Sequence, residues 1–262
     1  ETKETQRITH KGSFNNIICG ATDWVHEEEF GFTKAYEWSP DSEFIAYYLF
    51  DESKVSEFSM DVFKDNLYPQ QERFKYPKAG ERNSVVQINI FNINTNTNLV
   101  AKTNTKSESY FPRIQWTNNS NQLFVQRLNR HQNHLELLSI NPSNGDGELI
   151  HTEKSSVYID IHDHLTFYEN DAYFLWTSEK SGYNHIYLYN IKGKEIRQVT
   201  KGNWEVTEFY GFNQKTKTLY YQSTERSPLQ RDIYAINVFG RKKKLLSPDP
   251  GWNSAKFSKN YQ

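Results

Sequence analysis

The residues best suited to chemistry stand together near the start of the sequence: Asp23, Trp24, Val25, His26, Glu27, Glu28, Glu29 and Phe30. Asp23 is of the type that caps a short helical segment, and three adjacent carboxylates follow it. Like charges this close repel, so two readings stand open. A triple Glu is most simply the solvated face of an acidic helix. Alternatively, two of the acids face a cavity and receive a cation, because paired carboxylates without a positive partner are unfavourable. A free α-ammonium suits such a pair: its compact head carries three donors, so each carboxylate accepts a charge-assisted bond and a third acceptor completes the set.

Other clusters are weaker. The run His162, Asp163, His164 would place two imidazoles on one face of a strand, and His131 with His134 makes a second pair, but two ligands are not a metal centre. Structural histidines are expected at all four positions, and neither a metal nor a cofactor is expected. No phosphate loop, Cys pair or EF-hand pattern occurs. The nucleophile elbow Gly-x-Ser-x-Gly is missing from the 262 residues, as is any ordered Ser, Asp, His set in a hydrolase context. Cys19 is the sole cysteine, so no intramolecular disulfide forms, and its setting after Ile17 and Ile18 suggests a small buried apolar residue.

Charge and composition narrow the partners. Lys plus Arg is 31 against Asp plus Glu at 32, which argues against a nucleic-acid partner. The basic run Arg241 to Lys244 is expected to be a solvated strand edge. No apolar run approaches the roughly 20 residues of a membrane span, and the start Glu1-Thr2-Lys3-Glu4 has no apolar leader. Tyr and Phe stand at 17 each, a bias toward pleated, half-buried surfaces rather than helices.

The elements that position the acids emerge from a repeat. Trp38 is followed by the turn Ser39-Pro40-Asp41-Ser42 and the apolar strand Phe44 to Tyr48. Pro40 fixes φ at the second position of a type I turn and Asp41 bonds its own backbone. The same grammar returns at Trp116, at Phe167-Tyr168, at Phe212, and at Phe257, where the copy is cut off. The later steps match the length of one four-stranded propeller blade, about 40–50 residues. Further strands are expected over 185–191, 195–200, 204–211 and 231–238, short and turn-bounded. A sandwich gives short strands too, but not an aromatic, a polar turn and an apolar strand at near-constant spacing. The expected fold is therefore all-β: a partial β-propeller over residues 1–262, with about five blade equivalents and one short helix carrying the Glu cluster.

Residues 51–84 interrupt the repeat, with Phe58, Met60, Val62, Phe63, Tyr68 and Pro69 inside the excursion. This is either a long surface loop or an arm whose apolar residues dock on a partner.

The motifs Asp23-Trp24-Val25-His26-Glu27-Glu28-Glu29, Trp38-Ser39-Pro40, Tyr76-Pro77-Lys78-Ala79-Gly80 and Gly202-Asn203-Trp204-Glu205-Val206, in this order, resemble the propeller domain of the dipeptidyl peptidase IV family. The similarity runs from Arg7-Ile8-Thr9 to Phe257-Ser258-Lys259. The resemblance implies an eight-bladed propeller capping an α/β-hydrolase domain in a serine exopeptidase that releases dipeptides with proline or alanine second from the N-terminus. It assigns the substrate's free amine to Glu28 and Glu29, an aromatic wall of the substrate pocket to Tyr158, and homodimer contacts to residues 51–84. The catalytic domain, and a basic residue that assists amine recognition, are expected outside this chain, so that the fragment alone is inactive. The unpaired Cys19 points to a bacterial-type member, with a periplasmic or cell-surface location. Two rival readings are a non-catalytic propeller module and a related tripeptidyl or acylaminoacyl peptidase.

Overall fold

The computed structural model describes residues 5–104, 108–258 and 261. The chain divides into two compact units, Glu1–Ile161 and His162–Gln262.

In the first unit, strands β1 (Ile17–Cys19), β3 (Phe44–Asp51), β6 (Val85–Asn92) and β7 (Thr97–Val100) form a sheet in the order β1-β3-β6-β7. Strand β2 (Tyr36–Trp38) pairs with the other end of β3, through Tyr36↔Tyr47, so that β1 and β2 share one neighbour end to end. Helix α1 (Trp24–Phe30) is inserted between them. The second sheet runs β12 (Gly147–Lys154), β11 (His134–Ile140), β10 (Leu123–Asn129) and β8 (Ser109–Tyr110), with β9 (Ile114–Trp116) also on β10. One apolar core, including Tyr48, Phe50, Ile88, Phe111, Trp116, Leu123 and Leu138, joins both sheets of this unit.

The repeat is visible atom by atom. Ser39 Oγ donates to Asp41 Oδ1 at 2.6 Å, and the same oxygen of Asp41 accepts Glu43 N–H at 3.0 Å. In the matching turn Thr117 Oγ1 donates to Asn119 Oδ1 at 3.0 Å, and that oxygen accepts Asn121 N–H at 3.1 Å. Both turns place a serine in the left-handed region, Ser42 at φ 64° and Ser120 at φ 61°. A carboxylate or amide oxygen two residues on accepts what the turn's backbone cannot, which is why Ser-x-Asp and Thr-x-Asn do the same work. The two turns also touch: Asp41 N–H donates to Ser120 Oγ at 3.1 Å, and Trp116 Nε1 donates to Glu37 O at 3.0 Å.

The second unit holds two meanders. One is β13 (Thr166–Tyr168), β14 (Tyr173–Ser178), β15 (His185–Asn190) and β16 (Glu195–Gln198); the other is β17 (Val206–Asn213), β18 (Thr218–Ser223), β19 (Asp232–Asn237) and β20 (Lys244–Leu245). Neighbours in sequence are neighbours in each sheet, the blade pattern that the spacing of aromatics predicts. The copy opened by Phe257 adds no strand among the described residues; its ring packs on Tyr220 at 4.7 Å.

Residues 51–84 carry a hairpin, β4 (Glu57–Val62) paired with β5 (Gln70–Lys75). One expectation needs correction: residues 162–164 lie outside any strand, ahead of β13. Their two imidazoles stack at 5.1 Å because Thr177 takes both, His162 Nε2 lying 2.8 Å from its carbonyl and His164 Nδ1 3.0 Å from its hydroxyl. Burial holds the His164 imidazole below the usual range, which favours its neutral form. Among the described residues no group of three or more His, Cys, Asp or Glu side chains gathers to hold a metal ion.

Candidate amine-binding site

Helix α1 begins where Asp23 stops the extended chain. Asp23 sits at φ −77°, ψ 172°, and its side chain accepts His26 N–H at 2.9 Å, satisfying one of the helix's free donors. It ends at Gly31, φ 68°, whose N–H bonds back to Glu27 O at 3.2 Å; a left-handed residue there favours glycine. Val25, His26 and Phe30 face inward, while Glu27, Glu28 and Glu29 are exposed.

The placement of the acids is electrostatically poor. They crowd the C-terminal turn, where the helix already carries partial negative charge, and that turn has no basic residue. Among the described residues neither Glu28 nor Glu29 makes a hydrogen bond or ion pair. Several acids elsewhere in the chain are matched: Lys180 meets Glu195, Lys217 meets Glu169, and Arg127 Nη2 lies 2.6 Å from Glu136.

Glu29 opens onto a cleft of about 750 Å³. Its aromatic wall is Trp24, Phe58, Phe74 and Tyr76, with the Trp24 and Tyr76 rings 4.1 Å apart, and its polar side carries Asn83, Tyr110, Arg130 and Gln132. Asn83 Nδ2 donates to Tyr110 Oη at 2.8 Å, and Arg130 is occupied by Glu108 at 3.4 Å and by the Glu81 carbonyl. Residues 76–80 form part of the rim, so two of the four sequence motifs, far apart in the chain, line one cleft. The motif at 202–206 belongs to the other unit, where Trp204 packs against His185 at 4.9 Å as part of the core.

Tyr158 is half exposed. Burial pushes its phenol above the usual range, and the carboxylates of Asp160 and Glu29 add to the shift. The structure thus brings Tyr158 within electrostatic reach of Glu29.

Behind the helix lie two carboxyls of opposite behaviour. Burial would raise Asp23, but hydrogen bonds from the His26 ring, from Ser84 and from the His26 backbone N–H outweigh it and hold Asp23 below the usual range. Glu52 is raised, first by burial and then by Asp23, with Lys75 only partly offsetting them. Sequence reasoning found Asp23 as a cap but missed what His26 does. The signal is the Asp-x-x-His spacing, which sets an imidazole directly over the capping carboxylate.

The comparisons agree with this architecture. The crystal structure of Porphyromonas gingivalis dipeptidyl peptidase 4 superposes with a TM-score of 0.91 at 41% identity, over 97% of this chain and 36% of that one. A probable dipeptidyl peptidase 4 of Emericella nidulans is 29% identical over 241 residues, which is 85% of this chain and 31% of the relative. A rat protein named inactive dipeptidyl peptidase 10 is 29% identical over 258 residues, 93% of this chain and 32% of that protein. The chain therefore spans about a third of the length of the relatives it matches. The family model described as the dipeptidyl peptidase IV (DPP IV) N-terminal region matches residues 1–262, and the chain belongs to that family.

Proposed function

We propose that this chain is the substrate-selecting portion of a serine exopeptidase that releases N-terminal Xaa-Pro or Xaa-Ala dipeptides, with Glu28 and Glu29 gripping the substrate's free amine. The observation that carries the reading is the unmatched pair itself: two exposed neighbouring carboxylates on a capped helix, one opening onto a cleft. An ammonium head relieves their repulsion and supplies the donors they lack. Held there, the amine acts as a ruler, because a peptide anchored by its first atom presents only its second peptide bond to a nucleophile at a fixed distance. Tyr158, within electrostatic reach of Glu29, supplies an aromatic surface for the bound peptide. The acyl-transfer chemistry falls to a serine, a general base and an oxyanion hole on another domain of the parent protein.

The hairpin belongs to the same reading. Phe63, Leu67 and Tyr68 at its tip are 61%, 84% and 77% exposed, an apolar end suited to self-association as a homodimer. Leu67→Asp is expected to sediment as a monomer where the unsubstituted protein sediments as a dimer; an unchanged sedimentation coefficient removes the arm from the interface.

The similarity to a relative named inactive supports a second reading, a propeller that binds peptides without cleaving them. Activity of the full-length protein on Gly-Pro-p-nitroanilide separates the two. The amine site is tested with the N-acetylated form of that substrate: strong preference for the free amine is expected, and equal turnover of both forms removes the site.

A further inference from the structure

Helix α1 is seven residues long. So short a helix has no independent stability in water, so the directions of Glu28 and Glu29 are set by whatever holds the helix. Two grips do so, and one distant segment, Tyr110–Arg113, takes part in both. At the helix C-terminus, Arg113 Nη1 donates to Phe30 O at 2.8 Å and to Pro112 O at 2.7 Å. On the inward face, His26 is 1% exposed and boxed by the rings of Phe50 at 4.9 Å, Phe30 at 5.2 Å, and Phe32 and Tyr110 at 6.0 Å each.

Both edges of that imidazole are in use. Nδ1 lies 2.7 Å from Asp23 Oδ1, and Nε2 accepts Phe111 N–H at 3.4 Å. The two contacts assign the tautomer: the proton sits on Nδ1, and the lone pair of Nε2 faces the backbone. A residue needed only for packing would be apolar here, since a polar ring in an aromatic box is unfavourable unless both edges are satisfied. A donor at one edge and an acceptor at the other instead fix how the helix is turned about its axis. At about 100° per residue, Glu28 stands on the side of the helix opposite His26 and Glu29 beside it, so any roll at His26 displaces both acids.

We propose that His26 is a positioning residue for the amine anchor, locking the rotation of helix α1 through Asp23 on one side and Phe111 on the other. The inference rests on the reading of Glu28 and Glu29 as the amine site. His26 itself touches no substrate; it decides whether the two carboxylates converge on one point.

The test uses the full-length protein and Gly-Pro-p-nitroanilide, with His26→Ala, Arg113→Met, Glu29→Gln and Phe174→Leu, a core change in the other unit. His26→Ala is expected to raise KM roughly 10-fold while kcat stays within about threefold, the scale of one displaced hydrogen bond. Added imidazole, which fits the cavity left by the substitution, is expected to bring KM back. Arg113→Met shifts KM the same way by less, and Phe174→Leu lowers Tm without moving KM. If Glu29→Gln raises KM but His26→Ala does not, or imidazole restores nothing, His26 is structural only and the amine site stands. If Glu29→Gln leaves KM unchanged, the amine site falls and this inference with it. Should His26→Ala fail to fold, Arg113→Met decides: KM unchanged there overturns the proposal.

Discussion

The two sheets of His162–Gln262 follow the chain strand by strand, whereas the first sheet of the other unit is broken twice, by helix α1 between β1 and β2 and by the hairpin β4–β5 between β3 and β6. The difference extends to charge. In the regular meanders a buried acid is neutralised on the spot: Asp232 takes a two-point grip from Arg226 at 2.6 and 2.5 Å and a third bond from Ser247 at 3.0 Å. Arg226 holds the Asp232 carboxyl below its usual range. At the interruptions acids are left open, Glu28 and Glu29 without partners among the described residues and Glu52 raised by burial and by Asp23. Regular blades spend their side chains on packing, and the insertions carry the groups that packing does not explain.

The comparison is broken most severely from the regular side. Trp176 is 1% exposed at the centre of its sheet and packs on His162 at 4.2 Å. Trp176→Ala is expected to destabilise the protein by about 3–5 kcal/mol, the range for truncating a buried aromatic. Chemical denaturation measures it, and a loss under about 1 kcal/mol would contradict the assignment of this sheet as core.

From the interrupted side the prediction reverses in kind. Glu28→Gln or Glu29→Gln is expected to lower kcat/KM on a free-amine substrate by roughly 10- to 150-fold, the range for losing a charged hydrogen bond. Tm should stay or rise slightly, because each change removes repulsion at a helix C-terminus. A fall in Tm with activity intact would mean these acids serve the fold.

The smallest effect sharpens the comparison inside the first unit. Glu52 has its pKa raised in the folded state, so its ionisation opposes folding. The stability it permits is fully present below the unfolded pKa of about 4.3 and is lost as pH rises through the folded value. Glu52→Gln should raise Tm by at most a few degrees at neutral pH and do nothing below about pH 4. A Tm gain that persists into acid would assign the effect to packing instead.

Much of this was legible in the sequence because repeats write themselves in turns. Trp38-Ser39-Pro40-Asp41 and Trp116-Thr117-Asn118-Asn119 differ in residue type but share a local hydrogen-bond scheme, so spacing alone located the sheets. The strand expected over 204–211 begins at Val206 and runs to Asn213, since residues 204–205 turn the chain into it. The cap at Asp23 was equally local. What sequence did not disclose was non-local: the approach of Tyr110–Arg113 to the helix, and the cleft formed where residues 76–80 meet Trp24 and Glu29. Nothing in the neighbourhood of Arg113 marks it as the partner of a carbonyl at Phe30. The histidines at 162 and 164 misled for a related reason, because alternation suggests a strand face while Thr177, on β14, decides where the rings go.

The central claim is that Glu28 and Glu29 receive a protonated amine. A crystal structure of the full-length protein with an Xaa-Pro dipeptide tests it most directly. The account predicts the ammonium nitrogen at about 2.7–2.9 Å from an oxygen of each carboxylate, the distance of a charge-assisted bond. A dipeptide bound with its amine elsewhere, and both carboxylates turned to solvent, would contradict it.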